Sequence, residues 1–206
     1  MKVLLVNGSP HKNGSTNRAL EEVATTLNKN GIETEIFRIG NRALSGCIAC
    51  KTCVKTGKCV FDDSVNKCRE KALEADGFIF GSPVHYAAAS GSMTAFMDRL
   101  FYSEFCGNQN KAFYLKPAAA VVVARRAGTT STYDQLNKYF GLHEMPIFLQ
   151  GTGISFTARA RNRWKKIPKA CTRCAFSAKI WRISSAVRKR RINSALNFPN
   201  ENSRYL

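Results

Sequence analysis

Four cysteines in thirteen residues, Cys47-x2-Cys50-x2-Cys53-x5-Cys59, form the densest chemical constellation in the chain. Thiolates are soft metal ligands, and four of them in so short a segment suit a [4Fe–4S] cluster or a tetrahedral zinc. A loop of reduced thiols without metal is the third reading. Cys68 falls in a helical pattern and Cys106 near a helix end, and both are expected to be structural.

The remaining chemistry sits in three loops. The first, Asn7–Thr16, follows the apolar run Val3–Val6 and precedes a helical pattern with Leu20, Val23, Ala24 and Leu27 on one face. A loop between a strand and a helix start offers free backbone N–H groups, and the helix dipole there favours negative charge. Ser9, Ser15 and Thr16 add hydroxyls, Asn13 and Asn17 add amides, and His11 or Lys12 adds charge. A phosphate is the ligand such a loop suits. The simpler reading is a helix cap by Ser15 or Thr16. The pattern matches neither a Walker loop nor a dinucleotide Gly-x-Gly-x-x-Gly.

The second loop, Gly81–Gly91, is built of small residues that let a flat ring approach the backbone, with Pro83 and Val84 beside it and His85 or Tyr86 to cover it. A plain surface role for His85 is an equal reading. The third, Ala124–Thr130, combines the backbone donors of Gly128 and Thr129 with the charges of Arg125 and Arg126. It suits an electron-rich ring edge or a phosphate, or else a solvated basic loop before a helix.

Elements that place these loops are legible in the pattern. Strands are expected at Lys2–Val6, Glu33–Arg38, Gly77–Phe80, Ala118–Ala124 and Ile147–Leu149, several of them continuous apolar runs as in parallel strands buried on both faces. Helices are expected at Asn17–Asn30, Asp63–Ala75, Ser92–Phe101 and Thr130–Tyr139. Strand–helix alternation predicts an α/β fold with a doubly wound, five-stranded parallel sheet in three layers, and all three loops then fall at the carboxyl ends of strands.

Length and composition bound the rest. The 206 residues suit one domain, and no apolar stretch reaches the roughly 20 residues of a membrane span. No secretory leader is recognisable, so the expectation is a cytoplasmic protein without membrane contact, in which cysteines serve metal or redox chemistry. Charge is uneven. Residues 1–150 hold 18 Lys and Arg against 13 Asp and Glu, whereas residues 151–206 hold 14 against Glu201 alone.

Together, Gly-Ser-Pro-x-x-x-Gly-Ser-Thr at 8–16, Gly-Ser-Pro-Val-x-Tyr at 81–86, Ala-Arg-Arg-Ala-Gly-Thr at 124–129 and the pair Asp98-Arg99 resemble the flavodoxin-like NADPH-dependent FMN reductase family and its iron–sulfur flavoprotein branch. The resemblance covers about residues 1–147. It implies FMN, with its phosphate in the first loop and its ring between the second and third. It further implies hydride transfer from NAD(P)H to flavin, onward reduction of a small-molecule or protein electron acceptor, and a homodimer. Where the family usually has glycines after the tyrosine, this chain has Ala87, Ala88 and Ala89.

Residues 151–206 admit two readings. One is a nucleic-acid-binding tail, with Trp164 to stack and Cys171-x-x-Cys174 as half of a zinc site. No second half follows, and the segment lacks clear periodicity. The other, which is favoured, is a reading-frame shift near residues 146–151. Trp164 has the single codon TGG and Lys165 begins AA, so one shifted frame there reads GAA, glutamate. Over this stretch suitable codons spell ESVEKDPEGMH and continue into RVLGKNMAYL. That peptide is acidic and amphipathic, and it resembles the C-terminal part of the same family. The expected division is thus an FMN-binding domain at 1–150 and an out-of-frame basic tail at 151–206. Nucleic acid is not an expected partner. Loss of the native last helix is expected to leave the chain unstable or weak in FMN binding.

Overall fold

A computed structural model describes residues 1–147 and 154–157. Its elements are β1 (Lys2–Asn7), α1 (Ser15–Lys29), β2 (Glu33–Arg38), α2 (Thr52–Thr56), α3 (Ser64–Glu74), β3 (Gly77–His85), β4 (Ala88–Ala89), α4 (Gly91–Asn108), β5 (Ala118–Ala124), α5 (Thr129–Leu142) and β6 (Ile154–Thr157). Five strands pair in parallel in the order β2-β1-β3-β5-β6, and β4 folds back antiparallel on the end of β3.

Alternation along the central strands builds two cores. Val3 and Leu5 face α1, where they meet Leu20, Val23 and Leu27 together with Ile79 and Val121. Leu4 and Val6 face the other way, onto Phe78, Phe80, Met93, Phe96, Leu100, Phe101, Phe113 and Phe140. The second core is aromatic. Phe101 stacks on Phe113 at 4.5 Å between ring centroids, and Phe78 meets the edge of Phe113 at 5.0 Å. The first residues of β5 are alanines, all buried, which leave room for those rings. Buried ion pairs tie the aromatic layer down: Glu104, fully buried, holds Arg69 and accepts the Ala112 N–H at 2.9 Å.

The expected elements recur with four differences. β3 runs on through Gly81-Ser-Pro-Val-His85 because β5 continues beside it, with Pro83 opposite Val123. β1 stops opposite Gly81, so Pro83 lies where β3 has a partner on one side, which tolerates a missing N–H. α4 extends to Asn108, seven residues beyond the expected end. The cysteine segment contains the short α2, which no periodicity announced. The described edge strand is β6, Ile154–Thr157, and of the strand expected at Ile147–Leu149 only Ile147 lies within the described residues. Ile147 makes a single bridge with Ala118, and β6 bonds the later half of β5, from Val121 to Ala124. That half of β5 would otherwise keep an open row of N–H and C=O groups. Residues 148–150 lie outside the described residues, as do Cys171, Cys174 and Trp164 of the basic segment.

Candidate functional site

Strand order reverses between β1 and β3, which makes their carboxyl ends the topological switch point where open α/β sheets bind ligands. Gly8 and Gly81 meet there, with the Gly8 N–H donating to the Gly81 carbonyl at 2.8 Å. A Cβ on Gly8 would stand 3.1 Å from that carbonyl oxygen and 2.7 Å from Met93 Sδ. The Ser90 hydroxyl donates to the Gly8 carbonyl at 3.2 Å, and the Ser90 N–H donates to Ser82 Oγ at 3.2 Å. The first two loops are therefore one bonded unit.

Asn7 shapes the first loop from below. It is fully buried, accepts the Ser9 N–H at 2.9 Å and donates to Asn17 Oδ1 at 3.0 Å. Ser9, also buried, accepts the His11 N–H at 3.2 Å. The N-cap of α1 is Gly14, in extended conformation, with no side-chain cap and no acidic residue in the first turn. The alternative reading, a cap by Ser15 or Thr16, is not met. The first-turn donors are thus left to an anion, and the dipole favours one there. Thr16 is buried, Ser15 and Asn17 are half-buried, and Asn17 also donates to Glu21 at 2.7 Å. His11, Lys12 and Asn13 are exposed on the loop's outer side.

The second loop is a hairpin. Val84 pairs with Ala89 and His85 with Ala88, so the turn is the two residues Tyr86 and Ala87. Both have positive φ, 50° and 59°. Hairpins of this kind favour Asn-Gly, and a Tyr-Ala pair stores backbone strain of the sort that collects at ligand sites. Tyr86 stands wholly in solvent at the tip, beside an exposed His85, while Pro83 and Val84 are half-buried at the base. The third loop clamps this hairpin. Gly128 has φ +90°, and a Cβ there would lie 2.7 Å from Ala87 Cα and 3.0 Å from Val84 Cγ1. The Ser131 hydroxyl donates to the Ala87 carbonyl at 2.5 Å. Thr129 opens α5 and is half-buried, and Arg125 and Arg126 are exposed, in no ion pair among the described residues.

The cysteine segment lies against the side of α4. Cys47, Cys50, Cys53 and Cys59 line one cavity with Phe61, Arg99 and Tyr102. Among the described residues, no three ligating side chains are arranged closely enough to hold a metal ion. The donor set nonetheless fits a soft metal centre. It is four thiols without carboxylates, and a buried guanidinium stands beside it. Cys47 and Cys50 are exposed on a strand of backbone in which Ala49 and Lys51 are left-handed. The Cys50 thiol is lowered by hydrogen bonds from the Thr52 hydroxyl and N–H, whereas burial raises Cys53. The far half is pinned: Asn66 accepts the Cys59 N–H at 3.0 Å and donates to the Cys59 carbonyl at 2.9 Å. Burial pushes the Cys68 thiol far up, as suits a structural cysteine. Cys106 shares a hydrogen bond with Tyr102, which raises the tyrosine's pKa. Sequence reasoning missed Asn7, Asn66 and the role of Arg99. Asn7 had one available signal, a polar residue ending a wholly apolar strand.

A five-stranded parallel sheet of this order, with its switch point between β1 and β3, is a flavodoxin-like α/β fold. Solved structures share it. The apo form of the NADH:FMN oxidoreductase EMOB superposes with a TM-score of 0.63 at 16% identity, covering 89% of each chain. A flavodoxin from the domain Archaea gives 0.57 at 15% identity, covering 91% of this chain and 99% of the other. The chain belongs to the NADPH-dependent FMN reductase family, whose pattern matches residues 1–157. That membership places it among flavin-dependent oxidoreductases. An iron–sulfur flavoprotein of Methanocaldococcus jannaschii is 34% identical over 149 residues, 70% of this chain and 74% of the relative. One of Clostridioides difficile is 30% identical over 130 residues, 62% of this chain and 56% of that relative.

Proposed function

We propose that this chain is an FMN-dependent NAD(P)H oxidoreductase that also carries a [4Fe–4S] cluster on Cys47, Cys50, Cys53 and Cys59. The observation that carries the reading is the convergence of an uncapped α1 N-terminus, a strained hairpin and the Gly128 clamp on one switch point. The N–H groups of Ser15, Thr16 and Asn17, with the Ser9 hydroxyl, hold the phosphate. Val84 and the hairpin backbone lie along one edge of the ring, and Gly128 and Thr129 close the other. Arg125 and Arg126 supply positive charge toward a reduced ring or the nicotinamide phosphate, with His11 flanking the first loop. FMN and the cluster, when bound, supply hydride acceptance and single-electron transfer respectively. Hydride transfer itself needs no general acid or base from the protein.

A small-molecule or protein acceptor takes the electrons, and the working unit is a homodimer in the cytoplasm. No described helix is long and apolar enough to cross a membrane. The second reading is an electron carrier or redox sensor that uses flavin and cluster without a substrate of its own. It draws on the same cysteine cavity. Anaerobic stopped-flow mixing of the FMN-loaded protein with NADPH separates the two. Rapid bleaching of flavin absorbance supports the reductase, and none leaves the carrier.

The frame-shift reading of residues 151–206 is part of this proposal. β6 lies just past the junction, and parallel pairing through main-chain bonds makes little demand on side-chain identity. Resequencing the source DNA across codons 140–160 tests it. One or two bases that restore the acidic frame support the shift, and an unchanged frame refutes a sequencing error.

A further inference from the structure

Among the described residues, Arg99 is the largest wholly buried side chain that carries a charge, with 1% of its surface exposed. It belongs to neither loop nor ligand set. Its bonds end on Cys59 and on three residues that flank the cysteine segment, Ser45, Phe61 and Asp63. Its Nε donates to Cys59 Sγ at 3.1 Å. Nη1 donates to the Ser45 carbonyl at 3.3 Å and to Asp63 Oδ2 at 2.7 Å. Nη2 donates to the Phe61 carbonyl at 3.3 Å and to Asp63 Oδ1 at 3.0 Å. The guanidinium carbon stands 4.8 Å over the Phe61 ring. Ser45 precedes the first cysteine and Phe61 follows the last, so one side chain on α4 ties both ends of the segment together.

We infer that Arg99 is a positioning residue for the metal centre, setting Cys59 for ligation and making the cluster easier to reduce. The inference rests on the cluster reading above. Two physical effects act together. The planar fork fixes the segment's entry and exit, which a flexible lysine does less well. A buried positive charge and an N–H···S hydrogen bond both favour the more negative, reduced form of a thiolate-bound cluster, which raises its potential. Asp63 offsets part of that charge from the far side of the fork. It also accepts the Val65 N–H at 3.0 Å as the cap of α3, so its carboxylate is shared.

The test uses the full chain, reconstituted anaerobically with iron and sulfide. Arg99→Gln is compared with Arg99→Lys and with Arg99→Gln combined with Asp63→Asn. The double variant removes both charges, so the half-buried Asp63 carboxylate is not left without its partner. Iron per chain and the cluster's potential by spectroelectrochemistry are the readouts. At a fixed poise the reduced-to-oxidised ratio is expected to fall about tenfold without the guanidinium, about 59 mV for one electron. Arg99→Lys is expected to recover part of the shift. Loss of iron from a variant whose circular dichroism is unchanged supports the positioning half. Variants that keep four irons and the wild-type potential overturn the inference while the cluster reading stands. A wild-type protein that takes up no iron overturns both.

Discussion

Gly128 offers the sharpest test of how the ring site is built, because a single methyl group would act on it in two separable ways. At φ +90° an alanine bears the left-handed penalty of about 1–2 kcal/mol. Its Cβ would also sit 2.7 Å from Ala87 Cα, a backbone atom of the hairpin that cannot swing aside. Overpacking of this kind costs a further ~1–3 kcal/mol. Gly128→Ala is therefore expected to lose about 2–5 kcal/mol in all, partly as folding stability and partly as a displaced hairpin that binds FMN less well. Gly40 provides the control within the same chain. Its φ is +92°, yet nothing lies within 4 Å of the Cβ position. Gly40→Ala should thus show the conformational penalty alone, with FMN affinity unchanged. The assay is urea unfolding of both variants, paired with titration of FMN fluorescence quenching. If Gly128→Ala matches Gly40→Ala in both measurements, the hairpin clamp does not exist as described.

Gly107 makes a tighter contact still: a Cβ would fall 2.1 Å from the Cys53 carbonyl oxygen. Gly107→Ala should force α2 off α4 and at least halve iron uptake, measured against the wild type by iron assay, with FMN binding retained. His143 is buried among Phe101, Phe105 and Phe113, its Nδ1 2.8 Å from Asn110 Oδ1, and burial lowers its pKa to about 4. Its unfolded value is about 6.5, so between the two the unfolded chain binds a proton that the folded chain refuses. Stability is expected to fall as pH drops through that window, by about 2 kcal/mol at pH 5 relative to pH 7. A His143→Gln variant should lose that component of the slope in urea titrations at the two pH values. Riboflavin, which lacks the phosphate, should bind at least tenfold more weakly than FMN, since charge-assisted bonds to the first turn of α1 contribute about 1.5–3 kcal/mol. Equal affinity by fluorescence titration would remove the anion site from the mechanism.

Much of the site was visible without coordinates because it is written locally. Val3–Val6 followed by Gly8, Ser9 and Gly14 is a strand, a tight loop and a helix start, and each signal lies within a few residues of the next. The same holds for Cys47 to Cys59 and for Gly128 ahead of α5. Signals failed where pairing decided the outcome. Gly81-Ser-Pro reads as a chain break, yet β3 continues because β5 supplies bonds alongside it. The plain helix-cap reading of Ser15 or Thr16 is not met either, because Gly14 stands at the N-cap with no side-chain cap.

Sequence alone determined the class of fold and the positions of the three loops and the four thiols, since hydrophobic period and turn chemistry act over short spans. Tertiary structure decided what those parts do together. The left-handed Tyr86-Ala87 turn follows from register against β4, and the edge strand at Ile154–Thr157 follows from the open side of β5. Arg99 is one basic residue among 32 Lys and Arg in the sequence. It gains its role only because the packing of α4 buries it against Ser45, Cys59, Phe61 and Asp63, where a charge must find partners. Burial is a property of the whole assembly of elements, and no local pattern of residues encodes it.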